Sequence, residues 1–188
     1  MDKLPVGWKQ KSPKQMAAIV ILILMAMVLS FVEFPLIPST EWLEYDFSGV
    51  ISILTTLLYG PVVGTIVAVV SWIPHMVTDP LGAFMNITAT LMLLLVVSAL
   101  YRRKPCLKNA VIGCAVGVVV STGVAVCLNF VVTPMYMSTT YEAIVALVVP
   151  ALIPFNVIKS LLNSVLAVVS YRKLAELLAE PESVAQQN

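Results

Sequence analysis

Six apolar stretches, most of them near the ~20 residues that a helix needs to cross a bilayer, constrain this chain more than any other feature. They run Met16–Leu36, Phe47–Tyr59, Pro61–Val77, Met85–Tyr101, Lys108–Val132 and Val148–Tyr171, broken by proline, glycine and charge. A backbone in hydrocarbon must satisfy its own hydrogen bonds, so such runs are read as helices. The fold expected is an all-α integral membrane protein, a compact bundle of six transmembrane helices. The second run is short for a full span, and Gly60-Pro61 joins it to the third by a tight turn, so this pair is expected to be tilted or partly re-entrant. With 60% apolar and 11% charged residues among 188, no second, soluble domain fits beside the bundle. The organisation expected is a tail over 1–15, a membrane domain over 16–172 and a second tail over 173–188.

Orientation follows from lysine and arginine, which stay on the cytoplasmic side during insertion. Ten of the eleven fall into three groups: the first fifteen residues, Arg102-Arg103-Lys104 with Lys108, and Arg172-Lys173. Six spans bring all three groups to one face, so both termini are expected in the cytoplasm. Glu33, Glu41, Glu44, Asp46, Asp79 and Glu142 then lie at or near the outer face. The apolar run from Met16 is too long for a typical signal-peptide core and is read as a retained span.

The remaining basic residue, Lys159, lies inside the sixth run. A charge there costs about 2.5–3.5 kcal/mol on insertion scales and ordinarily faces a cavity or a partner. Asn156, Lys159 and Asn163 recur at i, i+3 and i+7, which puts them on one helix face. Asn129, near the outer end of the antiparallel fifth helix, reaches a similar depth. Asparagine both donates and accepts, and lysine adds charged donors, a set suited to the polar edge of a ring. Asn129, Asn156 and Lys159 are therefore expected to bind ligand, against the alternative of interhelical bonds and a lysine–carboxylate pair; for Asn163 the interhelical bond is preferred.

The first external connection, residues 35–48, mixes aromatics with acids. It reads either as an interfacial belt or as a lid over a planar ligand, with Asp46 and Ser48 placed to cap the second helix. The single histidine, His75, makes no metal site and is expected to be hydrogen-bonded or interfacial, with ligand contact the lesser alternative. Gly60, Gly64, Gly82, Gly113, Gly117 and Gly123 are read as packing residues, and Cys106, Cys114 and Cys127 as small apolar fillers. The sequence has no phosphate-binding G-x-x-x-x-G-K-[ST] loop and no H-E-x-x-H, C-x-x-C or G-x-S-x-G motif, and no basic patch points to nucleic acid.

Glu33-Phe34-Pro35-Leu36, Leu43-Glu44-Tyr45-Asp46-Phe47-Ser48 and Tyr59-Gly60-Pro61-Val62-Val63-Gly64 resemble the riboflavin-binding substrate component of energy-coupling factor (ECF) transporters. So do Asn129-Phe130-Val131-Val132-Thr133-Pro134-Met135-Tyr136 and Ile153-Pro154-Phe155-Asn156-Val157-Ile158-Lys159-Ser160, in order along most of the chain. The resemblance implies a six-helix, multi-pass subunit of the bacterial cell membrane. It would capture riboflavin from outside, without a resident cofactor or enzymatic activity, and work with a transmembrane coupling protein and two cytoplasmic ATPases. By motif position it assigns flavin contacts to Asn129, Asn156 and Lys159, and the loop beside the flavin to Leu43, Glu44, Tyr45, Asp46 and Phe47. The chain departs from the family pattern at Ser71-Trp72 and Ala83, where members carry a lysine–asparagine pair and a glutamate. It departs again at Leu22, which interrupts the small-residue spacing of Ala18 and Ala26 that members use to dock the coupling protein. The alternatives are another vitamin or heterocycle on the same architecture, a membrane scaffold, and an intramembrane enzyme using Lys159.

Overall fold

A computed structural model describes residues 12–38, 40–137 and 140–178. The chain folds into helices α1 (Pro13–Ser30), α2 (Ser48–Tyr59), α3 (Pro61–Ser71), α4 (His75–Thr78), α5 (Pro80–Arg103), α6 (Leu107–Met137), α7 (Tyr141–Leu147) and α8 (Ile153–Leu178). One π-helical turn, Val148–Leu152, joins the last two. Four stretches among the described residues are long and apolar enough to cross a membrane: Pro13–Ser30, Pro80–Arg103, Leu107–Met135 and Tyr141–Tyr171. Two shorter apolar helices, α2 and α3, complete the set.

Local chemistry sets several boundaries away from their expected places. Helix α1 starts on a capping box in which Ser12 and Gln15 each accept a hydrogen bond from the other's backbone N–H. It stops at Ser30 rather than Leu36, and beyond it Pro35 favours extended backbone at Phe34. Phe34–Pro35 (β1) instead pairs antiparallel with Glu44–Tyr45 (β2), a two-residue ribbon that an all-helical reading does not contain. The run Pro61–Val77 divides into α3 and α4 around Pro74, which lacks the N–H that would continue a helix. Helix α5 begins earlier than Met85, at Pro80, where Asp79 accepts a hydrogen bond from the Gly82 N–H at 3.0 Å. The sixth run begins at Tyr141 and continues past residue 173 to Leu178, its two prolines absorbed by the π turn and the first turn of α8. Of the expected tails over 1–15 and 173–188, residues 13–15 and 173–178 are helical, and 1–11 and 179–188 lie outside the described residues.

Helix α2 is the hub of the bundle. Ser48 to Leu57 are buried without a break, and the helix packs on α1, α3, α5 and α8. Three of its hydroxyls are satisfied within it: Ser52, Thr55 and Thr56 donate to carbonyls three or four residues back at 2.8–3.1 Å. Its short length therefore reflects central burial. The outward faces are apolar, as a lipid solvent requires: Val20, Ile21, Leu24 and Val28 on α1, Val119 and Val131 on α6, Leu161, Val165 and Val169 on α8. On α1 the line through Leu22 and Ala26 turns inward onto Ile51, Val63 and Val67, so these two residues are core rather than docking surface. Gly64, Gly113 and Gly117 abut neighbouring helices, whereas Gly60 makes a turn and Gly123 faces open space. Of the cysteines only Cys114 is buried.

Candidate ligand-binding site

A cavity of ≈ 490 Å³ opens beneath the first connection, between α4, α5, α6 and α8. That volume suits a small heterocyclic ligand. Helix α8 supplies Asn156, Lys159, Ser160 and Asn163, and α6 supplies Asn129. The three sequence-predicted ligand residues thus share one cavity. Of the loop candidates, Leu43 and Glu44 line it, while Tyr45, Asp46 and Phe47 lie behind its wall.

The electrostatic centre is Lys159. Its ammonium lies 2.8 Å from Asp46 Oδ2 and donates to the Glu44 carbonyl at 3.3 Å. Asp46 is almost completely buried, and a buried carboxylate needs compensation on both oxygens. Its Oδ1 accepts from the Ser48 N–H at 2.9 Å and from the Ser48 hydroxyl, joining the ion pair to the start of α2. Trp72 donates its indole N–H to Ser48 Oγ at 2.9 Å, and the Lys159 ammonium lies 5.9 Å from the Trp72 ring and 5.7 Å from the Phe155 ring. A continuous polar chain therefore runs from α8 through the loop and α2 to the end of α3. The N-cap of α2 is Phe47 rather than Asp46; Asp46 accepts from the first residue of the helix, Ser48, and is the carboxylate partner of Lys159.

The asparagines differ. Asn129 donates to the Ala125 carbonyl and accepts from the Thr133 hydroxyl, each at 2.8 Å. Asn156 donates to the Leu152 carbonyl at 2.8 Å. Asn163 accepts from the Tyr45 hydroxyl of β2 at 2.9 Å, a bond from helix to loop in place of the interhelical bond expected of it. Burial, and secondarily the charge of Asp46, push the Tyr45 phenol up to about 12, so it remains a neutral donor.

Opposite α8 stand His75, for which ligand contact was the lesser expectation, and groups that the sequence did not single out as ligand contacts. His75 is buried against Trp72 and Phe31, with ring centroids at 4.4 and 4.6 Å, and its Nε2 is 3.0 Å from the Ser30 hydroxyl. Glu33 lies 3.9 Å from His75 Nδ1. Burial, then the charges of Glu44 and Asp46, hold the Glu33 carboxyl above its usual range. Asn86 and Thr90 of α5 complete this wall. Their i, i+4 spacing inside an apolar run was the available signal, the same one that exposed the polar face of α8.

Residues 14–171 match the family model for the substrate-specific component of ECF transporters. The riboflavin transporter RibU of Staphylococcus aureus (strain TCH60) is 34% identical over 174 residues, 88% of this chain and 92% of that one. The riboflavin transporter FmnP of Bacillus subtilis (strain 168) is 25% identical over 183 residues, 90% and 96% of the two chains. A solved structure of the S component of a bacterial ECF transporter superimposes with a TM-score of 0.78 at 34% identity, covering 90% of this chain and 99% of that chain.

Proposed function

Because the chain belongs to the substrate-specific component family of ECF transporters, we propose that it captures riboflavin or a close flavin from outside the cell for ATP-driven import. It is a multi-pass membrane transport component and not an enzyme. The observation that carries the flavin reading is the convergence of Asn129, Asn156 and Lys159 on one cavity of suitable size. Carbonyl and ring-nitrogen acceptors on one edge of a flavin match the donors of these three side chains, and Leu43 and Glu44 close the cavity from the loop. The asparagines exchange their bonds to Ala125 and Leu152 for ligand bonds, at little net cost.

In this reading α2 and α3 count as spans beside the four long ones, making six, with both termini cytoplasmic. The chain carries no phosphate-binding loop, so the energy comes from partners: a transmembrane coupling protein and two cytoplasmic ATPases. The test is titration of ligand-free purified protein with riboflavin, followed by quenching of flavin fluorescence. Tight one-to-one quenching is expected. Asn156→Ala with Lys159→Ala is expected to weaken it by about 100-fold or more, two hydrogen bonds with one charged donor being worth about 3 kcal/mol. Unchanged affinity in a folded double variant removes the site assignment. The cavity wall at Trp72 and His75 favours a second reading, a different planar heterocycle on the same architecture, and a panel of vitamins separates the two.

A further inference from the structure

The way in which Lys159 is held bears on what kind of ligand the cavity accepts. An ammonium has three N–H donors. The ammonium is ion-paired with Asp46 Oδ2 at 2.8 Å and donates to the Glu44 carbonyl at 3.3 Å, which leaves N–H donors for the cavity that Lys159 lines. The lysine side chain is 13% exposed and the aspartate 1%, so the pair is screened from water and its two charges cancel at short range. Lysine is the only cationic side chain of its type lining the cavity among the described residues, whereas Glu33, Glu44 and Asp79 add three carboxylates. His75, the other titratable group on the wall, is engaged by Ser30.

We propose that Asp46 is a positioning residue that turns Lys159 from a counter-ion into a hydrogen-bond donor, so that the cavity selects an uncharged ligand over the same molecule carrying a phosphate ester. The inference rests on the flavin reading above and deepens it. Without Asp46, a free ammonium facing the cavity would attract an anionic group and offset the three carboxylates. With Asp46, Lys159 supplies one oriented N–H to a neutral acceptor, and the remaining field opposes anions.

The experiment compares riboflavin with riboflavin 5′-phosphate by fluorescence titration on the full-length protein and on Asp46→Asn, Lys159→Met and the double variant. Asn retains an acceptor for the Ser48 N–H, so the start of α2 keeps its bond. The wild type is expected to prefer the uncharged flavin by about tenfold or more, since like-charge juxtaposition is strongly disfavoured. Asp46→Asn is expected to narrow that ratio at least severalfold, Lys159→Met to widen it, and the double variant to return it toward the wild-type value. A merely structural Asp46 would weaken both ligands equally and leave the ratio unmoved, and that result overturns the proposal. Should Asp46→Asn not fold, an unwidened ratio in Lys159→Met overturns it equally. If the wild type binds neither flavin, the failure lies with the flavin reading; if it binds both equally, flavin stands and the role of Asp46 falls.

Discussion

Asp46 and Tyr45 are adjacent in the chain and hold the loop to the same helix through different chemistry. Asp46 does so by charge, through Lys159, and Tyr45 by a neutral hydrogen bond to Asn163. Tyr45→Phe keeps the ring contacts with Phe34 and Phe47 and removes only that bond, so a loss of about 1 kcal/mol is expected, read as a lower midpoint in thermal unfolding in detergent. Glu33 behaves in the opposite sense. Its folded pKa is raised, first by burial and then by Glu44 and Asp46, so the folded state holds its proton where the unfolded chain has lost it. Its contribution therefore opposes folding above the folded pKa and fades as pH falls through the window down to the ordinary glutamate value. Glu33→Gln is expected to unfold at a higher temperature than wild type at pH 7.5, with the gap closing toward pH 4; a constant gap at both pH values contradicts this assignment.

The α2–α3 hairpin shows how an element shorter than a span can be central. Gly60 adopts a φ of 93°, a conformation that side chains disfavour, and Pro61 then opens α3. Gly64 lets α3 approach α2 so closely that a Cβ there would collide with the Thr56 hydroxyl and lie 3.0 Å from the Ser52 carbonyl, which is fixed backbone. Gly64→Ala is accordingly expected to destabilise by about 1–3 kcal/mol, measured by thermal unfolding, whereas alanine at Gly123, which faces open space, should be nearly silent. The gap between α3 and α5 serves the site. By breaking at Pro74, the chain turns His75 inward and brings Asp79 to the head of α5, so that the third run contributes a cavity wall in place of another turn of helix.

At the scale of the molecule, the cavity, the loop 31–47 and the carboxylates Glu33, Glu44 and Asp79 gather at one end of the bundle. At the other end Tyr101 and Tyr171 share a buried hydrogen bond of 2.7 Å, close to Arg102 and Arg103 at the end of α5. In the orientation proposed from the basic residues, the polar opening is the outer end. In a cysteine-free background, Glu41→Cys is expected to react with a membrane-impermeant maleimide on intact cells and Lys104→Cys only after lysis. Labelling in the reverse pattern would invert the orientation.

The helical membrane architecture was legible from sequence alone, because apolar length and self-satisfied backbone are local properties, and so was the cavity-lining face of α8, because helical spacing places Asn156, Lys159 and Asn163 together. The place of Asn129 on the same cavity was legible as well, through the antiparallel run of the fifth helix. What no local signal carried was the partnership between segments. That Asp46 neutralises Lys159 across 113 positions, that Tyr45 turns from the cavity to Asn163, and that His75 rests on Ser30 depend on how helices separated in sequence come into contact. Each buried polar group takes the partner that packing brings within reach, and only the tertiary structure decides which partner that is.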